Sequence, residues 1–250
     1  MSAAFERALL DAAAAPYRSA GRFAWHFARA KLGRDPVFVA LLERGVLPDA
    51  RRLLDLGCGQ GLLAAWLRAA RTLHDAGQWR SDWPAPPRIG RYRGVELMPR
   101  DVQRARVALG ATGDFEQGDL RSADFGETDI IVVLDVLHFL DYPAQLDVLR
   151  RARAALPPGG LLVTRIGDAD GGLPFLMSRC VDSTVSFFRG HRRPRGYCRS
   201  AADWTATLRE LGFRVDAQRM SAGTPFANVM LTATVSEAVA RRDGGRATVC

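Results

Sequence analysis

The apolar positions of the chain follow two periods, and the periods alternate. Phe5, Leu9, Leu10 and Ala13 recur at helical spacing until Pro16 breaks the run. A second helical stretch, residues 21–32, carries Phe23, Trp25, His26 and Phe27. Asp35-Pro36 opens a third, residues 37–43, with proline in its first turn and Gly45 beyond its end. The pattern then changes. Leu53 to Leu56 form a short apolar run with a single carboxylate, Asp55, and residues 50–57 read as a buried strand followed by a helix over 60–73.

Strand and helix periods continue to alternate beyond that point. Residues 92–97 read as a strand, with Pro99 starting a helix. Residues 115–120 read as a short strand and turn, and 128–135 as a β-branched central strand. Residues 142–156 follow as a helix stopped by Pro157-Pro158-Gly159-Gly160, and 161–166 as a fifth strand. A helix from Ser200 to Leu211 has a capping-box-like start, and 213–219 and 228–235 read as a closing hairpin. This alternation predicts an α/β fold with a mostly parallel sheet. Residues 74–90, with three prolines and two tryptophans, read as an inserted loop.

The sharpest signal lies at the end of the first strand, in Asp55-Leu56-Gly57-Cys58-Gly59-Gln60-Gly61. Three glycines at alternate positions let the backbone turn tightly and approach a ligand where a Cβ would clash. A dinucleotide fingerprint would need glycine at position 62, which is Leu62, and a phosphate-binding loop would need a lysine after Gly61. The pattern D-x-G-x-G-x-G instead resembles the first motif of the class I S-adenosylmethionine (SAM)-dependent methyltransferases. That resemblance extends over residues 50–235. It implies a Rossmann-like, seven-stranded, mostly parallel sheet with an antiparallel terminal hairpin and an N-terminal helical cap. It also implies SAM as cofactor and S-adenosylhomocysteine as its product.

The resemblance carries over residue by residue. Asp55, Gly57, Cys58, Gly59 and Gly61 match the glycine turn beside the methionine part of SAM. Glu96 ends the second strand, where an acidic side chain accepts both ribose hydroxyls, and Leu97 follows it. Asp119 and Leu120 fall where the family meets adenine, and Asp135 ends the fourth strand. Asp135-Val136-Leu137-His138-Phe139-Leu140 resembles the fourth motif of enzymes that methylate small molecules, not the Asn/Asp-Pro-Pro-Tyr motif of many nucleic-acid amino methylases. His138 is the candidate general base, or else a histidine packed in the first turn after the strand. Asp168 and Arg165 at the end of the fifth strand are candidates to face the acceptor. The aromatic preface, the fourth motif and the loop Gly167-Asp168-Ala169-Asp170-Gly171-Gly172 are similar to methyltransferases of bacterial aryl-polyene and polyketide pigment pathways. A hydroxyaryl acid, free or on an acyl carrier protein, is the acceptor this implies.

Composition changes the picture only in part. The net charge of +8 invites a nucleic-acid partner, but all but one of the 35 cationic residues are arginine. The exception is Lys31. Arg179, Arg189, Arg192, Arg193, Arg195 and Arg199 crowd one stretch against a single acid, Asp182, and suit a carboxylate, a phosphate or an acidic carrier. Cys58, Cys180, Cys198 and Cys250 lack zinc-type spacing, so no metal is expected. No run is long enough to span a membrane and no apolar signal core opens the chain, which predicts a cytoplasmic protein. The organisation expected is a cap over 1–47, a SAM-binding domain over 48–235 with a lid over 173–199, and a tail over 236–250. An RNA methyltransferase and a non-catalytic SAM-fold protein that binds a partner remain alternatives.

Overall fold

A computed structural model describes residues 2–168, 197–220 and 228–236. The lid expected over 173–199 and the tail over 236–250 lie almost wholly outside the described residues. Three helices come first: α1 (Ser2–Ala14), α2 (Arg22–Arg34) and α3 (Pro36–Glu43). The strands and later helices then alternate: β1 (Ala50–Leu56), α4 (Leu62–Asp75), β2 (Ile89–Glu96), α5 (Pro99–Leu109), β3 (Asp114–Gln117) and β4 (Ile130–Leu134). They continue with α6 (Tyr142–Ala155), β5 (Leu161–Gly167), α7 (Ala201–Glu210), β6 (Phe213–Arg219) and β7 (Asn228–Val235).

The seven strands form one sheet in the order β3-β2-β1-β4-β5-β7-β6. Pairings among β1 to β5 are parallel, and β7 runs antiparallel to both β5 and β6. The order reverses between β1 and β4, and an open α/β sheet binds its ligand at the carboxyl ends of such a pair. Both faces of the sheet are covered, which is why its central strands are apolar without alternation. Leu53, Ile130 and Val132 pack into the core shared with α1–α5. Leu54, Ile131 and Val133 pack into a second core with Val148, Leu149 and Trp204. Successive residues thus go to opposite faces, as strand geometry demands.

The cap is tied to the sheet's helices by hydrogen bonds as well as by burial. Trp66 is buried on α4, and its Nε1 donates to the Phe38 carbonyl of α3 at 2.8 Å. The Tyr17 hydroxyl donates to the Gln60 carbonyl at 2.9 Å, and Gln60 Nε2 donates to the Ala24 carbonyl at 2.9 Å. The tryptophans of the inserted loop grip α1, with Phe5 edge-on to Trp79 at 5.3 Å and to Trp83 at 5.5 Å.

Some boundaries differ from those expected. Helix α4 begins at Leu62 and not at residue 60, because Gly61 sits at φ 79°, outside the helical region. Strand β2 begins at Ile89, three residues early, because Ile89 pairs with Ala50, and a Cβ at Gly90 would lie 2.8 Å from the Arg51 carbonyl. Strand β4 ends at Leu134, because Asp135 leaves the extended region at φ 59°.

Candidate active site

A cavity of about 390 Å³ lies over the carboxyl ends of β1, β2 and β4. Its floor is the glycine turn. Gly57, Gly59 and Gly61 all take positive φ (77°, 56° and 79°), which glycine adopts without steric cost. The turn is fastened to β2, with Gly57 and Cys58 donating to the Val95 carbonyl at 2.8 and 3.2 Å. A Cβ at Gly57 would lie 2.3 Å from Val136 Cγ2, so the turn can pass under Val136 only as glycine. Cys58 is a buried free thiol packed beneath the turn.

Glu96 ends β2 and bridges two backbone segments. One carboxylate oxygen accepts from the Gly59 N–H and the other from the Met98 N–H, both at 2.9 Å. The glycine turn and the β2 end are therefore held at fixed separation by one side chain. Asp55 lies deeper, buried at the cavity floor, and accepts a short hydrogen bond from the Tyr92 hydroxyl. Burial pushes the Asp55 carboxyl up to about 7, with Glu96 adding in the same direction and the Tyr92 hydrogen bond opposing.

The far wall holds a cluster of four charges. Arg165 on β5 is only 3 % exposed, and its guanidinium forks between two carboxylates. Arg165 Nε donates to Asp135 Oδ1 at 2.7 Å and Nη2 donates to Asp35 Oδ2 at 2.7 Å, with further short contacts to both acids. Lys31 completes the cluster, 2.7 Å from Asp35 and 3.3 Å from Asp135. Burial alone would raise the Asp135 carboxyl, but Arg165 and Lys31 outweigh it and hold it far below the usual carboxylate range. Asp35 also caps α3, accepting from the Val37 N–H at 3.1 Å. The cluster thus joins the cap, through Lys31 and Asp35, to the ends of β4 and β5.

The cavity gathers Asp55, Gly57, Cys58, Gly59, Glu96, Leu97, Asp119, Leu120 and Asp135. Gly61 stands behind the floor, at the start of α4. Asp119 at one mouth is held by Arg121, whose side chain and backbone N–H both donate to it; that pairing keeps its carboxyl below the usual range. His138 and Asp168 do not line the cavity. His138 sits on a 3-10 turn, Leu137–Phe139, capped by Val136; Val136 and Phe139, three residues apart, share the cavity side. Its ring lies 4.1 Å from that of Phe139, and its carbonyl accepts from the Tyr197 N–H. Asp168 Oδ1 accepts from the Ala201 N–H at 3.0 Å, at the start of α7.

Sequence reasoning missed Lys31 and Asp35 as members of the site. The available signals were the lone lysine among 34 arginines and the four-residue spacing between the two. Of the arginine-rich stretch, only Arg199 falls among the described residues. Its Nε donates to Gln145 Oε1 at 3.0 Å, and its guanidinium lies over the Tyr142 and Trp204 rings, so it serves packing there. Among the described residues no His, Cys, Asp or Glu group could hold a metal ion, and no helix is long and apolar enough to cross a membrane.

Comparison with known proteins agrees with this geometry. A methyltransferase domain family matches residues 24–218. A carboxy-S-adenosyl-L-methionine synthase from Chromohalobacter salexigens is 37% identical over 130 residues, covering 50% of this chain and 43% of that protein. A ribosomal RNA small subunit methyltransferase C of the same organism is 29% identical over 127 residues, covering 46% of this chain and 31% of that protein. The matched regions span less than half the length of these two relatives. Among solved structures, an O-methyltransferase family protein from Burkholderia thailandensis shares the fold with a TM-score of 0.60, at 21% identity over 88% of this chain and 62% of that one. With the strand order, the glycine turn and the Glu96 bridge in place, the chain belongs to the class I, SAM-dependent methyltransferase family.

Proposed function

We propose that the cavity binds SAM and that the chain transfers its methyl group to a small, partly apolar acceptor. One observation carries this reading. The cavity is polar along the β1 and β2 ends and apolar where the cap closes it, through Phe27, Val37 and Phe38, and where Phe139 and Leu140 follow β4. SAM supplies an electrophilic methyl on a sulfonium that is itself a good leaving group. The protein's task is then alignment and exclusion of water more than proton transfer.

The residues fit the cofactor's parts. Glu96 offers its carboxylate oxygens to vicinal hydroxyls of a ribose. The glycine turn leaves room that a Cβ would fill. Asp119 and Leu120 flank one end, where an adenine's amino edge and ring would be received, with Leu97 and Met98 beside them. At the opposite end Lys31 and Asp135 offer opposite charges to the carboxylate and ammonium of the methionine part. His138 and Asp168 are the residues proposed to face the acceptor, although among the described residues neither lines the cavity.

Within this reading the acceptor is a hydroxyaryl compound, with a carboxylate or a carrier attached, of the kind made in bacterial secondary metabolism. The fourth-strand motif and the apolar cap support it. The deciding experiment is calorimetric titration with S-adenosylhomocysteine beside the E96A variant, followed by labelled-methyl transfer to a panel of hydroxyaryl acids. Micromolar binding that weakens in E96A, with transfer to a panel member, is expected. Absence of binding by the folded chain overturns the reading. A second reading, methylation of RNA, is favoured by the net charge and by the ribosomal RNA methyltransferase relative. It requires RNA binding that weakens steeply with salt.

A further inference from the structure

A second cavity, of about 440 Å³, opens between α4 and the start of β2, and among the described residues it shares no wall residue with the first. Its size is that of a small-molecule site. Among the described residues three guanidinium groups line it, from Arg68, Arg71 and Arg88, against one carboxylate, Asp75. Arg68 and Arg71 stand three residues apart on α4 and so share a face.

The three cations differ in how they are satisfied. Arg71 is neutralised by Asp75, four residues on, and also reaches the Pro86 carbonyl at 3.4 Å. Arg88 is exposed at the rim and makes no ion pair among the described residues. Arg68 is the informative one. It is half-buried, and the only hydrogen-bond partner of its guanidinium among the described residues is neutral, the Thr112 hydroxyl at 2.8 Å. A guanidinium withdrawn from water ordinarily finds a counter-charge, and this one faces open space instead. Four of its five N–H donors remain for a ligand. Leu67, Pro87, Ile89 and the ring of Tyr92 give the wall an apolar part, beside the hydroxyls of Thr72 and Thr112.

We infer that this cavity is a second binding site, for an organic anion: a phosphate or carboxylate group held by Arg68 and Arg88, carried on an apolar body that rests on Leu67, Ile89 and Tyr92. Planar guanidinium groups suit either head group by paired hydrogen bonds. The site stands independently of the methyl-transfer reading. Tyr92 links it to the first cavity, since its ring lines this wall while its hydroxyl holds Asp55.

The test is calorimetric titration of the whole chain with phenyl phosphate and with benzoate, at fixed ionic strength in chloride. The expected result is saturable one-to-one binding of at least one probe, tighter than inorganic phosphate, and unchanged when S-adenosylhomocysteine is saturating. R68Q should weaken it at least tenfold and R88Q several-fold, while R214Q, on the far edge of the sheet, leaves it unchanged. Far-UV circular dichroism checks each variant's fold, and R88Q, at an exposed position, serves if R68Q does not fold. No saturable binding of either probe, equal affinity in the folded arginine variants, or displacement by S-adenosylhomocysteine overturns the proposal.

Discussion

The Glu96 carboxylate accepts the Gly59 N–H at 2.9 Å across 37 residues of sequence, and its second oxygen is held by the Met98 N–H. Glu96 is therefore oriented by the backbone itself, and the glycine turn is positioned by the same group. Removing it costs both the acceptor and the positioning. A hydrogen bond to a charged group is worth about 1.5–3 kcal/mol, which corresponds to roughly 10- to 150-fold in affinity. E96A should weaken S-adenosylhomocysteine binding by that order, with E96Q between E96A and the parent chain. Calorimetric titration of the three proteins checks this, and unchanged affinity in E96A would sink the ribose-clamp assignment.

Arg165 should prove the most costly side chain to remove from the charge cluster. It is 3 % exposed and serves two carboxylates from different parts of the chain, Asp35 and Asp135. Breaking a buried pair by removing one partner costs about 3–5 kcal/mol, because the remaining charge stays buried. R165M should lose stability on that scale. The double variant R165M/D35N should recover part of the loss, since one stranded carboxylate becomes neutral. Urea denaturation of the single and double variants measures it, and additive losses would refute the coupling.

Gly57 carries two separable penalties for any side chain. Its φ of 77° costs an L-residue about 1–2 kcal/mol, and a Cβ there would lie 2.3 Å from Val136 Cγ2, an overlap worth about 1–3 kcal/mol more. G57A should be destabilised by the sum, and the V136A background should relieve only the steric part. Equal destabilisation of G57A in both backgrounds, by chemical denaturation, would mean that Val136 is not the obstacle.

The fold was legible because its signals are local. The apolar run at Leu53–Leu56, the three glycines and the β-branched Ile130–Val133 each report their own surroundings. The final hairpin was delimited to the residue for the same reason. Boundaries failed where geometry came from a partner: β2 starts early because β1 pairs with it, and Gly61 belongs to the turn although its neighbours are helix formers. In the site, Glu96 followed from its strand-end position. The charge cluster did not, since Asp35 meets Arg165 across 130 residues, and Asp35 had a sufficient local reading as a helix cap. His138 drew attention by residue type, but a one-residue rotation around a 3-10 turn decides which side chain lines a cavity, and sequence does not fix that rotation.

Asp55 should give the protein a pH-dependent stability. Burial lifts its carboxyl to about 7, whereas an aspartate in the unfolded chain titrates near 3.9. Between roughly pH 4 and pH 7 the folded protein thus holds a proton that the unfolded chain has released. Stability must then fall as pH rises through that window, and level off once the folded state has also lost the proton. D55N stays neutral throughout and can still accept the Tyr92 hydroxyl's hydrogen bond. Urea midpoints of the two proteins at pH 5, 6, 7 and 8 isolate the effect, because contributions from other groups cancel in the difference. The parent chain should lose stability relative to D55N up to about pH 7 and run parallel to it above. Profiles that are parallel over the whole range would mean that Asp55 is ionised in the folded protein, with Tyr92 as its sole compensation.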